Sequence, residues 1–198
     1  ASAMNAEKRP YKRMEEELFY KIIDQLRDWG YKGHLTLYGN NEPWLDTRIV
    51  EFHKYCREQL PDCFIFLSSN GLLLTVDKVK EIIPYVDQLI INNYCRDMKL
   101  HDNVKEIYEY AKSHEEEFAN VDLLIQMRYM DAVLTNRAGS APNKQNATKI
   151  IKETCLMPYT DVFIFPDGRM GICCCDNFEV TEMEDLTKTP IKEAWNSK

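Results

Sequence analysis

The 198-residue sequence contains no apolar run near the ~20 residues that a membrane-spanning helix requires, so a span of that kind is excluded. Its first residues, Ala1 to Tyr11, are polar and lack the apolar centre of a secretory signal. Positive charge is in short supply: 25 Lys and Arg against 32 Asp and Glu leave a net charge of −7. That balance argues against a nucleic-acid polyanion as the main partner. Several catalytic signatures are also missing. There is no Gly-Lys-Ser/Thr phosphate loop, no dinucleotide glycine fingerprint and no Ser/His/Asp order. The four histidines, His34, His53, His101 and His114, form no spaced ligand pair. The chain has no internal repeat of fixed period and no low-complexity tract. Its 44% hydrophobic and 29% charged residues are an ordinary globular composition, able to bury a core without covalent staples.

Cysteine is what the sequence does have, seven times: Cys56, Cys63, Cys95, Cys155 and the adjacent Cys173, Cys174 and Cys175. An odd count with three neighbours in a row is not a disulfide framework, since adjacent side chains pair badly. A reducing cytoplasm is the expected setting, where clustered thiols bind metal or stay free. Cys56 falls on a helix pattern, while Cys63 opens and Cys95 closes apolar strand-like runs. These three read as small buried hydrophobes.

Periodicity divides the chain into alternating elements. Met14, Leu18, Ile22, Leu26 and Trp29 recur at three- and four-residue steps, which predicts a helix over 14–29 stopped by Gly30. His34 to Tyr38 reads as a strand, and a helix from about Asp46 to Leu60 follows with Ile49, Phe52, Cys56 and Leu60 inward. Then come a strand over 63–67, a short helix over 75–83 and a strand over 86–91. A helix over 102–118 follows, with Val104, Ile107, Tyr108 and Ala111 inward, and then a strand over 121–127. Strands apolar along most of their length, alternating with helices, predict a parallel sheet covered by helices. Residues 136–148 look like a linker. Beyond it, Val162–Phe165 and Met170–Ile172 around Pro166-Asp167-Gly168-Arg169 predict a β-hairpin, and 190–196 a short helix.

Turn residues follow each parallel strand at its C-terminal end, the edge where α/β folds bind ligands. Gly39-Asn40-Asn41-Glu42-Pro43 offers close backbone approach at the glycine and a carboxylate for an ammonium group; it is equally a plain strand-to-helix turn. Ser68-Ser69-Asn70-Gly71 and Asn92-Asn93 offer hydroxyl and amide groups, and Arg128 a partner for a carboxylate. Sharing one cleft, these groups would make a binding site. The strongest local signal is Cys155, then 12 residues, Gly168, four residues and Cys173, continuing through Cys174 and Cys175. A hairpin returning Cys173 toward Cys155 presents thiolates suited to an iron–sulfur cluster or to zinc. Successive strand residues point to opposite faces, so the three neighbours cannot all turn the same way.

Set in order, these elements resemble the radical S-adenosylmethionine (radical SAM) enzymes of the branch with a C-terminal SPASM or shorter Twitch extension, over nearly the whole chain from Met14. Gly39-Asn40-Asn41-Glu42-Pro43-Trp44-Leu45 is similar to the family's GGEP-type motif, with Asn41 in place of its second glycine. Ser69-Asn70-Gly71-Leu72-Leu73 is similar to its strand-end Thr-Asn-Gly. The Cys155 to Cys173 spacing matches the SPASM opening, and Glu184-Asp185-Leu186 through Ile191-Lys192-Glu193-Ala194-Trp195-Asn196 the segment after it.

The resemblance implies an α/β fold. It would be a partial (β/α)6 barrel lacking its first strand, with a small C-terminal β-hairpin and helix. The incomplete radical SAM core would cover 1–140 and the iron–sulfur extension 141–198. It implies S-adenosylmethionine (SAM) bound by Gly39, Asn40, Asn41, Glu42, Ser69, Asn70, Asn93 and Arg128. It also implies an auxiliary 4Fe–4S cluster to which Cys155, Cys173, Cys174 and Cys175 would be the candidate ligands, an incomplete set. The activity it implies is reductive cleavage of SAM to a 5′-deoxyadenosyl radical that modifies a peptide or small-molecule substrate. A flavodoxin or ferredoxin would be the reductant, with neither nucleic acid nor membrane involved. No residue identifies the substrate or a catalytic group. The family's Cys-x3-Cys-x2-Cys loop, whose thiolates hold its SAM-cleaving 4Fe–4S cluster, does not occur in this sequence, so this chain as given would not bind that cluster. The chain is therefore expected to be a fragment of a longer enzyme, or a natural form without that chemistry. A catalytically silent SAM- or partner-binding protein and a structural zinc domain are the other readings.

Overall fold

The structure, a computed structural model, describes residues 12–39, 41–130, 154–176 and 179–197. The linker expected at 136–148, the boundary at 140/141 and Asn40 lie outside them. The chain forms two compact units: Tyr31–Ala132, and Ala1–Gly30 together with Val133–Lys198.

The second of these contains helix α1, Glu16–Trp29, which ends where Gly30 adopts φ 74° and donates its N–H to Arg27 O at 2.8 Å. Its fully buried stripe is Phe19, Ile22, Ile23 and Leu26. Met14, Leu18 and Trp29, expected inward, are half-buried, so the apolar face is rotated by part of a turn from the one predicted.

In Tyr31–Ala132 the order is β1 (His34–Leu35), a 3-10 turn Pro43–Leu45, α2 (Ile49–Gln59), β2 (Phe64–Ser69) and α3 (Val76–Ile82). A 3-10 turn Ile83–Tyr85, β3 (Gln88–Cys95), α4 (Asp102–Ser113), a 3-10 turn Glu115–Phe118 and β4 (Asp122–Tyr129) follow. All four strands are parallel and lie side by side in chain order. The core is Ile65, Leu67, Leu89 and Ile91 from the strands against Cys56, Val79, Ile82 and Val104 from the helices, all fully buried. Burying a side chain of this size contributes about 1.5–3 kcal/mol. At the N-terminal edge, Asp87 Oδ2 accepts from Arg57 Nη2 and from the Ile65 N–H, each at 2.6 Å.

Three boundaries differ from expectation. β1 pairs over two residues only, and Thr36–Tyr38 leave the ladder. β3 and β4 run on to Cys95 and Tyr129, because backbone pairing continues through Asn92–Gln126, Asn93–Met127 and Tyr94–Arg128 after the apolar run has stopped. Asn92, Asn93 and Arg128 therefore sit within strands. α4 ends at Ser113, whose Oγ donates to Glu109 O and Tyr110 O, and Tyr108 faces solvent rather than the core.

The C-terminal part of the other unit contains α5 (Met157–Thr160), β5 (Phe163–Ile164), β6 (Arg169–Gly171), β7 (Glu184–Asp185) and α6 (Ile191–Trp195). β5 and β6 are the expected hairpin, with Phe163 opposite Gly171 and Ile164 opposite Met170. Gly168 turns it at φ 88°, where a Cβ would lie 2.9 Å from Thr187 Cγ2 and 3.0 Å from Leu18 Cδ2. β7 adds an unexpected third antiparallel strand, two acidic residues long and without an alternating pattern to announce it. α6 packs on α1, and Gln25 Oε1 accepts from Ile191 N at 2.9 Å.

Candidate functional site

The pleat of β2, β3 and β4 sends alternate side chains to two faces of the parallel sheet. Ile65, Leu67, Ser69, Leu89, Ile91 and Asn93 go to the buried, helix-covered face. Phe64, Ser68, Ile90, Asn92, Leu124, Gln126 and Arg128 alternate with them, and Phe64 and Leu124 remain 38% exposed. The N-terminal half of this open face is apolar and the C-terminal half carries a linked polar chain. Asn92 Nδ2 donates to Ser68 Oγ at 2.8 Å, Arg128 Nε donates to Asn92 Oδ1 at 3.0 Å, and Arg128 Nη2 donates to Gln126 Oε1. Tyr38 stands edge-on to Phe66 at 6.2 Å, and burial pushes its hydroxyl pKa above 10. Arg128 is half-buried, every partner it has is neutral, and it forms no ion pair among the described residues. A guanidinium held in this way has donors left for an anion.

The loops above this face are tied together by one carboxylate. Glu42 Oε1 accepts from Ser69 Oγ at 2.7 Å and from Trp44 N at 3.4 Å, and its Oε2 accepts from Asn70 N at 2.8 Å. Ser69 Oγ accepts in turn from Gly71 N at 3.0 Å, and Asn70 Oδ1 from Leu72 N at 2.9 Å. Asn41 Oδ1 accepts from Gly39 N at 3.3 Å. The β1 loop and the β2 loop, 27 residues apart in sequence, are thereby one rigid rim.

Of the residues expected to bind SAM, Gly39, Asn41, Glu42, Ser69 and Asn70 thus meet at one rim, and Arg128 lies on the open face. Asn93, also expected there, lies on the other face of the sheet. It is fully buried on the helix side, donates to Lys99 O at 2.9 Å and accepts from His101 N at 2.9 Å, so it pins the loop before α4. Its neighbour Asn92 lies on the open face, bonded to Ser68 and Arg128. Gln126 and Asn103 are the residues that sequence reasoning passed over, while Ser68 and Asn92 were named without the face they occupy. A strand drawn through Asn92 to Arg128 would have placed Ser68, Asn92 and Gln126 on one face by parity; nothing local marks Asn103.

The seven cysteines are all free. Cys56, Cys63 and Cys95 are buried, as expected, and burial drives the Cys56 and Cys63 thiols toward the protonated form. Cys63 Sγ donates to Tyr31 O, and Cys95 Sγ to Arg128 O at 3.8 Å. Cys155 and Cys174 are exposed, Cys173 and Cys175 half-buried. Cys173 Sγ accepts from Cys175 N at 3.4 Å, and burial, followed by the neighbouring Cys175, raises the Cys174 thiol. Accessible thiols have the right donor chemistry for iron. Among the described residues, however, no three His, Cys, Asp or Glu side chains converge to hold a metal ion. The four cysteines named from sequence do not form a ready-made cage.

Residues 155–198 match the model of SPASM, an iron–sulfur cluster-binding domain. No curated protein matches the sequence. Among solved structures, BtrN in complex with AdoMet and 2-DOIA superposes with a TM-score of 0.78 at 18% identity, covering 96% of this chain and 72% of that one. Native anSMEcpe with bound AdoMet gives 0.61 at 11% identity over 96% and 74% of the two chains. Streptococcus suis SuiB bound to S-adenosylmethionine gives 0.50 at 10% identity over 92% and 58%. The protein is thus an α/β chain with the fold of the radical SAM enzymes, and its C-terminal segment is of the SPASM type. No helix among the described residues is long and apolar enough to cross a membrane.

Proposed function

We propose that this chain is the SAM-binding core and cluster-binding extension of a radical SAM enzyme acting on a peptide or small molecule. Bound SAM would supply the 5′-deoxyadenosyl radical for such chemistry on one-electron cleavage by a cluster held on the family's Cys-x3-Cys-x2-Cys loop, which does not occur in this sequence. The observation that carries the reading is Arg128, a half-buried cation with only neutral partners on the open face. In this reading it takes the SAM carboxylate, and Asn92 takes a ribose hydroxyl or the second carboxylate oxygen. The backbone carbonyls of Gly39 and Asn41 would take the ammonium group. Glu42, Ser69, Asn70 and Asn93 hold the loops that present them. Cys155 and Cys173, with Cys174 or Cys175, would contribute thiolates to a 4Fe–4S cluster completed from elsewhere.

The core falls within 1–140 and the extension within 141–198, arranged as part of a (β/α)6 barrel; four parallel strands stepping one way in chain order support that arrangement. A peptide substrate is supported by anSMEcpe, whose structure holds AdoMet with a Cp18Cys peptide, and a small molecule by BtrN with 2-DOIA. A flavodoxin or ferredoxin would deliver the electron. The free thiols fit a reducing cytoplasm.

Calorimetric titration with SAM tests the reading. Arg128→Ala should weaken binding roughly 10- to 100-fold, the range for one charge-assisted contact. Decarboxylated SAM should bind the unsubstituted chain and Arg128→Ala equally weakly. A chain that does not bind SAM at millimolar concentration, or an Arg128→Ala variant with unchanged affinity, overturns it.

A further inference from the structure

We propose that Asn103 is a positioning residue for the cofactor-binding rim, fixing the turn after β2 from the first turn of α4. The inference rests on the SAM reading of that rim. Asn103 Nδ2 donates to Gly71 O at 2.7 Å and to Leu74 O at 2.8 Å, bridging 32 and 29 residues of sequence. An asparagine at the start of a helix ordinarily caps it, by accepting from a helical N–H. Asn103 does the opposite, since its amide donates outward to two carbonyls of another loop. The N-cap of α4 is His101, whose side chain makes no capping bond.

The turn needs an outside anchor. Gly71 has φ 78°, and a Cβ there would lie 2.8 Å from Ile91 Cγ2 and 3.0 Å from Val104 Cγ2. The backbone is thus pressed against β3 and α4 with no side chain of its own to hold it. From Gly71 a continuous path leads to the ligand side. Gly71 N donates to Ser69 Oγ, Ser69 Oγ donates to Glu42 Oε1, and Asn70 N donates to Glu42 Oε2. Asn93 fixes the other side of the same corner through Lys99 O and His101 N. Asn103 closes the circuit between α4 and the Glu42 rim. Without it, two carbonyls lose a donor and Glu42 loses the fixed height of Ser69 and Asn70, its two partners from that turn.

The test compares Asn103→Ala and Asn103→Asp with Asp87→Ala, at the opposite edge of the sheet. Asp87 accepts from Arg57 and Ile65 N, so its loss destabilises the same unit without touching the rim. Two readouts are taken on the full chain: SAM affinity by calorimetry, and hydrogen exchange at the amides of Asn70 and Gly71. Both Asn103 variants should weaken SAM binding roughly 5- to 30-fold, as loss of one or two hydrogen bonds allows, and should speed exchange at both amides. Asp87→Ala should lower the melting temperature while leaving SAM affinity within about twofold. Unchanged exchange at Asn70 and Gly71 in the Asn103 variants overturns the proposal. So does an Asp87→Ala variant that weakens SAM as much as they do. If the unsubstituted chain binds no SAM, the cofactor reading falls and takes this inference with it, whatever the exchange shows.

Discussion

His53 offers the sharpest test of the packing of the parallel-sheet unit. It lies on α2 with no exposed surface, and its Nδ1 is 2.7 Å from Ile49 O. A carbonyl can only accept, so Nδ1 carries the proton and Nε2 is left as a lone pair, buried without a partner. Burial lowers the pKa from 6.5 to about 4, against a smaller opposing effect of the Ile49 hydrogen bond. In the unfolded chain the ring protonates near its ordinary value. Between pH 6.5 and about 4 the unfolded state therefore holds one more proton than the folded state. The stability from keeping this ring neutral is complete above pH 6.5 and is lost as pH falls toward 4. At about 1.4 kcal/mol per pH unit, the loss amounts to about 3 kcal/mol, a substantial part of the ~5–15 kcal/mol that holds a typical domain together. His53→Leu keeps most of the volume, removes the orphaned acceptor and abolishes the proton linkage. Urea midpoints measured by circular dichroism from pH 7 to pH 4 should show the wild type losing about 3 kcal/mol relative to His53→Leu. Other titrating groups act on both proteins and cancel in that difference. Parallel profiles for the two proteins would refute the burial argument.

Gly71→Ala places a Cβ 2.8 Å from Ile91 Cγ2 at a left-handed φ of 78°, and should cost about 3 kcal/mol in a thermal melt. A change within about 0.5 kcal/mol would contradict the close approach. Glu42→Gln leaves an NH2 facing either Ser69 Oγ or the Asn70 N–H, so about 2 kcal/mol should be lost and exchange at the Asn70 amide should accelerate. Reconstitution with iron and sulfide separates the two classes of cysteine. Cys155→Ser and Cys173→Ser should each lower bound iron and labile sulfide, whereas Cys56→Ala, at a fully buried position, should lower stability by about 1 kcal/mol and leave the metal content unchanged.

Much of the architecture was legible in residue order alone. The alternation of β-rich runs with three- and four-residue apolar periods announces a parallel sheet under helices. Gly30 and Gly168 mark a helix end and a hairpin turn, and both adopt the positive φ that glycine permits. The buried fate of Cys56, Cys63 and Cys95 follows from the apolar patterns around them. β3 shows where such reading stops. Its apolar run ends at Ile91, yet the strand continues to Cys95, because a ladder is built from backbone groups and does not require apolar side chains. Asn92 and Asn93 are the same residue type side by side. The pleat alone turns one toward Arg128 on the open face and buries the other against its own loop.

Apart from the short α5 and β7, the sequence by itself determined which segments become strands and helices and at which end of the sheet the polar groups gather, because both follow from local patterns. Only the tertiary structure decided that Glu42 joins two loops, that Asn103 reaches Gly71 and Leu74, and that Arg128 meets amides rather than a carboxylate. Those contacts span about 30 residues of chain, and a hydrogen bond depends on where the backbone brings its two ends, not on how far apart they stand in sequence.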